Sequence, residues 1–179
     1  YAYQLANGTS LNGARMSYFD VDINSRSVKG AGLAYDKIVD RAGAVVSSAT
    51  QVNEGSSTTA GFDRFCSASF FKGGTYNLVD DIFFAGEETS EGQQTALDVA
   101  TNTLYVTPWL GRAAWENITM LDPGNPNKVA ILAGDDRAGA PLLLYIGDKN
   151  YLNDGSFLDR NGLAHGKLYN WKADNGDLS

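Results

Sequence analysis

The sequence predicts an all-β protein, and three observations predict it. The chain of 179 residues carries 20 Gly, 9 Tyr, 8 Phe and 3 Trp among many Thr and Val, the residue types that suit a pleated, half-buried surface. Its apolar runs are short and punctuated by Asn, Asp and Gly, as strands joined by tight turns require. No window of 11 or more residues keeps apolar side chains at i, i+3, i+4 and i+7 with a cap at each end, so helices are expected to be scarce.

Taken in order, residues 1–5 followed by Asn7-Gly8 read as the second half of a hairpin already under way. Residues 15–23 make a strand in which Asp20, Asp22 and Asn24 share one face, because side chains alternate. That face is read as solvated. An EF-hand loop fails there, since Ser25 and Ala31 stand where Gly and Glu would be needed. Further strands are expected over 80–85, 95–100, 104–107, 128–133, 141–146 and 167–172. Thr101-Asn102, the segment 122–126 with its two prolines, and Ala138-Gly139 supply the turns between them. The Asn175-Gly176 turn follows the last strand with only three residues after it, so the ends predict a segment of a larger β domain. Short strands 8 to 12 residues apart suit a sandwich, a barrel or propeller blades, and periodicity does not choose among them.

Charge and motif content exclude several functions. The net charge is −7, which opposes a nucleic-acid-binding face. No apolar run reaches the roughly 20 residues of a membrane-spanning helix. A single histidine, His165, excludes zinc sites built on several imidazoles, and no G-x-S-x-G accompanies it for a serine triad. P-loop, dinucleotide-binding and HExxH patterns are absent as well.

The acids are unevenly placed. Glu87-Glu88 follows Gly86, Glu116 sits between Trp115 and Asn117, and Asp135-Asp136 follows Gly134. Adjacent carboxylates repel, so an acidic pair at the end of an apolar strand calls for solvent, a proton or a cation. Oxygen ligands at several strand ends suit Ca²⁺, and one softer donor extends the choice to iron or manganese. From the residues alone, solvated loop acids and a shared cation site both stand. Cys66 has Arg64 two residues away, and a guanidinium so close is expected to lower the thiol pKa. Arg112 and Arg137 are planar donors suited to phosphate or carboxylate. Asn7 and Asn117 each begin an N-x-T sequon.

The order of these segments resembles the PhoX-type alkaline phosphatases. The matching pieces are Ala34-Tyr35-Asp36 with Asp40-Arg41, Arg64-Phe65-Cys66-Ser67, Gly86-Glu87-Glu88, Leu110-Gly111-Arg112 with Trp115-Glu116-Asn117, Lys128-Val129 to Gly134-Asp135-Asp136, Leu144-Tyr145-Ile146-Gly147-Asp148-Lys149, and Asn161-Gly162-Leu163 with Gly166-Lys167-Leu168-Tyr169. They run over residues 31–172. The resemblance implies a six-bladed β-propeller, of which this chain would be about half, the remainder of the ring coming from further chain or a partner. It also implies a secreted or periplasmic phosphomonoesterase with an iron and calcium cluster. Carried over by position, Cys66 is the iron ligand, Glu87, Glu88, Glu116, Asp135 and Asp136 are ligands to calcium or iron, and Arg112 is a phosphate contact. The family's Asn-His-Glu segment, upstream of everything matched, has no counterpart here. The alternative from another class is a non-catalytic secreted β module whose acids serve calcium-stabilised assembly or surface binding.

Overall fold

A computed structural model describes residues 2–53 and 59–172. The Asn175-Gly176 turn lies outside the described residues. Within the described residues twelve strands run in order: β1 (Ala2–Gln4), β2 (Ser10–Asn12), β3 (Ser17–Asp22), β4 (Ser27–Leu33), β5 (Lys37–Val39), β6 (Phe65–Phe71), β7 (Ile82–Asp98), β8 (Thr103–Val106), β9 (Arg112–Leu121), β10 (Lys128–Asp135), β11 (Leu143–Asp148) and β12 (Gly166–Asn170). The one α-helix among the described residues, α1 (Phe157–Arg160), is a single turn. It begins where Ser156 Oγ accepts the Asp159 backbone N–H, an ordinary N-cap. No helix of the described residues is long and apolar enough to cross a membrane.

The all-β expectation holds. The strands form an eight-stranded sheet and two separate hairpins, β1–β2 and β3–β4, and none of the three closes on itself. The large sheet runs β12-β11-β10-β9-β7-β8-β5, with β6 paired to β7 off that path. Strands β9 to β12 make a consecutive antiparallel meander. Its first turn lies where expected: Gly124 is in the left-handed region at φ 63°, and its N–H meets Asp122 Oδ1 at 2.8 Å. The turn between β7 and β8 also lies as expected, with Asn102 at φ 50°.

Two expectations need correction. Residues 1–5 were expected to close an earlier hairpin, but β1 opens one of its own. Ala2, Tyr3 and Gln4 pair forward with Asn12, Leu11 and Ser10, because Gly8 at φ 87° and the bond from Thr9 N–H to Asn7 Oδ1 turn the chain back. The strands expected over 80–85 and 95–100 are the two halves of β7, which is 17 residues long. The polar stretch between them suggested a loop. It stays in the sheet because Glu87, Gln93 and Gln94 are buried there with backbone and side-chain partners.

Because side chains alternate along β7, the strand feeds two cores. Ile82, Phe84 and Ala96 face a cluster with Trp115, Ile131 and Tyr145. Ala85 and Leu97 face a second cluster with Tyr35, Ile38 and Phe62. Two packed cores with this shared strand hold β6, β7 and β9 in fixed relation, which is what places the acids.

Candidate metal centre

Three irregularities in strand pairing lie side by side across β6, β7 and β9. In β6 the register runs Phe65↔Glu87 and then Ala68↔Ala85, so Cys66 and Ser67 share one position opposite Gly86. Between β7 and β9 it runs Glu88↔Ala114 and then Gln93↔Arg112, so residues 89–92 bow out of the ladder just after Glu88. Between β9 and β10 it runs Gly134↔Asn117 and then Asp135↔Trp115, which leaves Glu116 as the extra, unpaired residue. A bulge breaks the alternation of faces and re-aims its side chain. Two of the irregularities carry an active residue themselves, Cys66 and Glu116, and the third begins just after Glu88.

Donor atoms of Cys66, Glu88 and Glu116 all lie within 4.8 Å of one another. The Cys66 Sγ is 3.7 Å from Glu116 Oε2, and its thiol also hydrogen-bonds to Glu88. Arg64 pairs with Glu88, and Asp136 hydrogen-bonds to the same carboxyl. Around these, Asn117 Nδ2 reaches Ser67 Oγ at 3.4 Å.

Electrostatics inside the group run against one expectation. The thiol of Cys66 is pushed up, first by its hydrogen bond to the Glu88 carboxylate and then by burial and the charge of Glu116. Arg64 does not activate it, because its guanidinium is engaged by Glu88. The Glu88 carboxyl is held below its usual range, first by the thiol and then by Arg64. A thiol that donates to one acid and faces another keeps its proton until a cation replaces it.

The remaining sequence-derived residues fall elsewhere. Glu87 is buried beneath the opposite face of β7, where Oε1 accepts from Asp63 N–H at 2.7 Å and Oε2 from Gln93 N–H at 3.0 Å. Burial pushes its pKa up to about 7 against these donors. Asp135 is clamped by Arg137, whose Nε is 2.9 Å from both carboxylate oxygens. That ion pair holds its carboxyl low. Arg112 stands two residues from Ala114, the partner of Glu88, and donates to Glu91 O at 2.9 Å. His165 is engaged elsewhere, its Nδ1 at 3.0 Å from Asp148 Oδ2 and its ring stacked 3.6 Å from Tyr151.

The chain matches no family model, no curated protein and no solved structure.

The spacing of the three donors Cys66, Glu88 and Glu116 is one that could hold a cation. Metal–ligand bonds of about 2.0 to 2.6 Å put opposite donors about 4 to 5 Å apart, the span seen here. One thiol with two carboxylates is a donor set for a transition metal, since sulfur does not suit Ca²⁺, while a neighbouring carboxylate such as Asp136 adds oxygen alone. What the sequence missed were the bulges. Its only signals were glycines inside strands: a Cβ on Gly86 would lie 2.3 Å from Trp115 Cβ, and one on Gly92 only 2.0 Å from Glu87 O.

Proposed function

We propose that this chain supplies part of the metal centre of a secreted or periplasmic phosphomonoesterase of the PhoX-like kind. The observation that carries the reading is the convergence of Cys66, Glu88 and Glu116, which start 22 and 28 residues apart along the chain and meet where strand register breaks at Cys66, at Glu116 and just after Glu88. In this reading Cys66 holds iron, and Glu88, Glu116 and Asp136 hold iron or calcium. When bound, such cations neutralise the phosphate oxygens and open phosphorus to attack.

The chain's own residues do the rest. Arg64 offsets the repulsion among the acids by pairing with Glu88. Buried Glu87 ties the backbone at Asp63, three residues before Cys66, to the backbone at Gln93, just past the excursion that follows Glu88. Arg112 lies on the same strand as Glu116 and offers a forked donor to phosphate. The meander β9–β12 is a four-stranded antiparallel unit of the kind that forms a propeller blade, and the rest of the ring would come from further chain or a partner.

The test is metal analysis of the intact source protein with a phosphomonoester assay at alkaline pH. Iron and calcium with turnover, and loss of both iron and turnover in Cys66→Ser, are expected. Absence of both metals and of turnover would overturn the proposal.

A second reading, a non-catalytic β module that assembles with calcium, has one observation in its favour. The β3–β4 hairpin stands apart from the large sheet and exposes Phe19, Ile23 and Val28. In that case Cys66→Ser leaves assembly intact and no phosphomonoester is turned over.

A further inference from the structure

Cys66 belongs to two features at once. Besides the acid cluster, it lines a cavity of about 440 Å³ between the base of the β3–β4 hairpin and the sheet. The size is that of a small-molecule site. Phe65, Ala68 and Phe70 from β6, Phe83 and Ala85 from β7, and Leu97 make most of the wall, and the second hydrophobic core forms the floor. The register explains the apolar lining: Phe70↔Phe83 and Ala68↔Ala85 are directly paired, so all four side chains face the same way.

Arg15 also lines this cavity and is exposed. It makes no hydrogen bond or ion pair with any described residue, and its charge favours the ionised phenols of Tyr3 and Tyr35. An apolar hollow that carries an unpaired guanidinium and adjoins the thiol of the acid cluster is complementary to one kind of molecule: an apolar group with an anionic end.

We propose that the cavity seats the apolar alcohol portion of a phosphate monoester, an aryl or alkyl phosphate, with Arg15 meeting the anionic end. The inference rests on the phosphomonoesterase reading and narrows its substrate. In hydrolysis the P–O ester bond breaks, water supplies the new P–O bond, and the alcohol leaves carrying a proton. The cavity then holds a neutral apolar product.

Two esters of different size and polarity test this in the full-length protein: 1-naphthyl phosphate and glycerol 2-phosphate. The ratio of their kcat/KM values should favour the naphthyl ester by on the order of ten-fold or more, as apolar pockets discriminate. Ala68→Trp fills the cavity from an exposed strand position and should lower that ratio at least about ten-fold. The second measurement needs no turnover. Calorimetric titration with 1-naphthylphosphonate, which cannot be hydrolysed, should show binding that weakens in both Ala68→Trp and Arg15→Gln. A ratio near one, or a ratio and a phosphonate affinity unchanged in a folded Ala68→Trp, overturns the cavity assignment. If neither ester is hydrolysed the phosphomonoesterase reading fails, and the phosphonate titration alone decides the cavity: binding lost in Ala68→Trp supports it and no binding sinks it.

Discussion

Trp115→Phe tests whether packing holds the acid cluster in place. Trp115 is 1% exposed in the first core, packs over Gly86, and its indole N–H donates to Gly92 O at 3.0 Å. Phenylalanine removes three ring atoms and leaves that buried carbonyl without its donor. The lost transfer and the residual cavity cost about 1 to 2 kcal/mol, and the orphaned carbonyl costs about 1 to 2 kcal/mol more, giving about 3 kcal/mol in all. With a urea slope of about 2 kcal/mol per molar, the unfolding midpoint should fall by about 1.5 M. Gly92 closes the excursion that begins after Glu88, so cation binding should weaken in the same variant. Trp109→Phe, at a half-exposed position against His165, is the control and should move the midpoint by less than about 0.3 M. Equal shifts in the two variants would refute the argument.

Gly92→Ala should destabilise by about 2 to 3 kcal/mol in the same urea assay, because the new methyl lands 2.0 Å from Glu87 O and 2.6 Å from Ala113 O and the backbone must move. Tyr145→Phe should cost about 1 to 2 kcal/mol, read by thermal unfolding, since the buried hydroxyl lies 3.0 Å from both Gly162 O and His165 O, and its loss takes the donor from Gly162 O while His165 O keeps the Asp148 N–H. Asp80 supplies an acid-sensitive contribution. Burial pushes its carboxyl up, but Arg160 and Asn161 outweigh that and hold it below its ordinary value of 3.8. Stability from this carboxylate is therefore present above the unfolded pKa and lost as pH falls through the lower folded one. Urea midpoints measured from pH 5 down to pH 2 should fall less steeply in Asp80→Asn than in the parent, and parallel curves would refute it. Glu116→Gln should weaken binding of Co²⁺ at least about ten-fold by titration calorimetry, whereas Asp135→Asn should not, because Arg137 already occupies that carboxylate.

Much of the strand pattern was legible because it is local. Asn102 and Gly124 turn the chain wherever they stand, through their own φ and the neighbouring side chains, and alternating or continuous apolar residues mark β7, β10 and β11. Two things were read wrongly for the same reason. The middle of β7 looked like a loop, since Glu87 and Gln93 are polar, and only their long-range partners at Asp63 and Val52 make their burial tolerable. The thiol of Cys66 was expected to be lowered by Arg64, its neighbour in sequence, yet the groups that set it are Glu88 and Glu116 on other strands.

The candidate site divides along the same line. Residue types alone marked Cys66, Glu88, Glu116 and Asp136 as able to hold a cation, together with Glu87 and Asp135, which on chemistry could not be told apart from them. Register made the selection. One surplus residue in β6 and another in β9 turn Cys66 and Glu116 to a common face, strict alternation sends Glu87 to the face opposite Glu88, and Arg137 turns Asp135 aside. A one-residue slip reverses which way a side chain points. Pairing between strands far apart in the chain therefore decided which side chains meet, while composition and turn chemistry had already decided that there would be strands to pair.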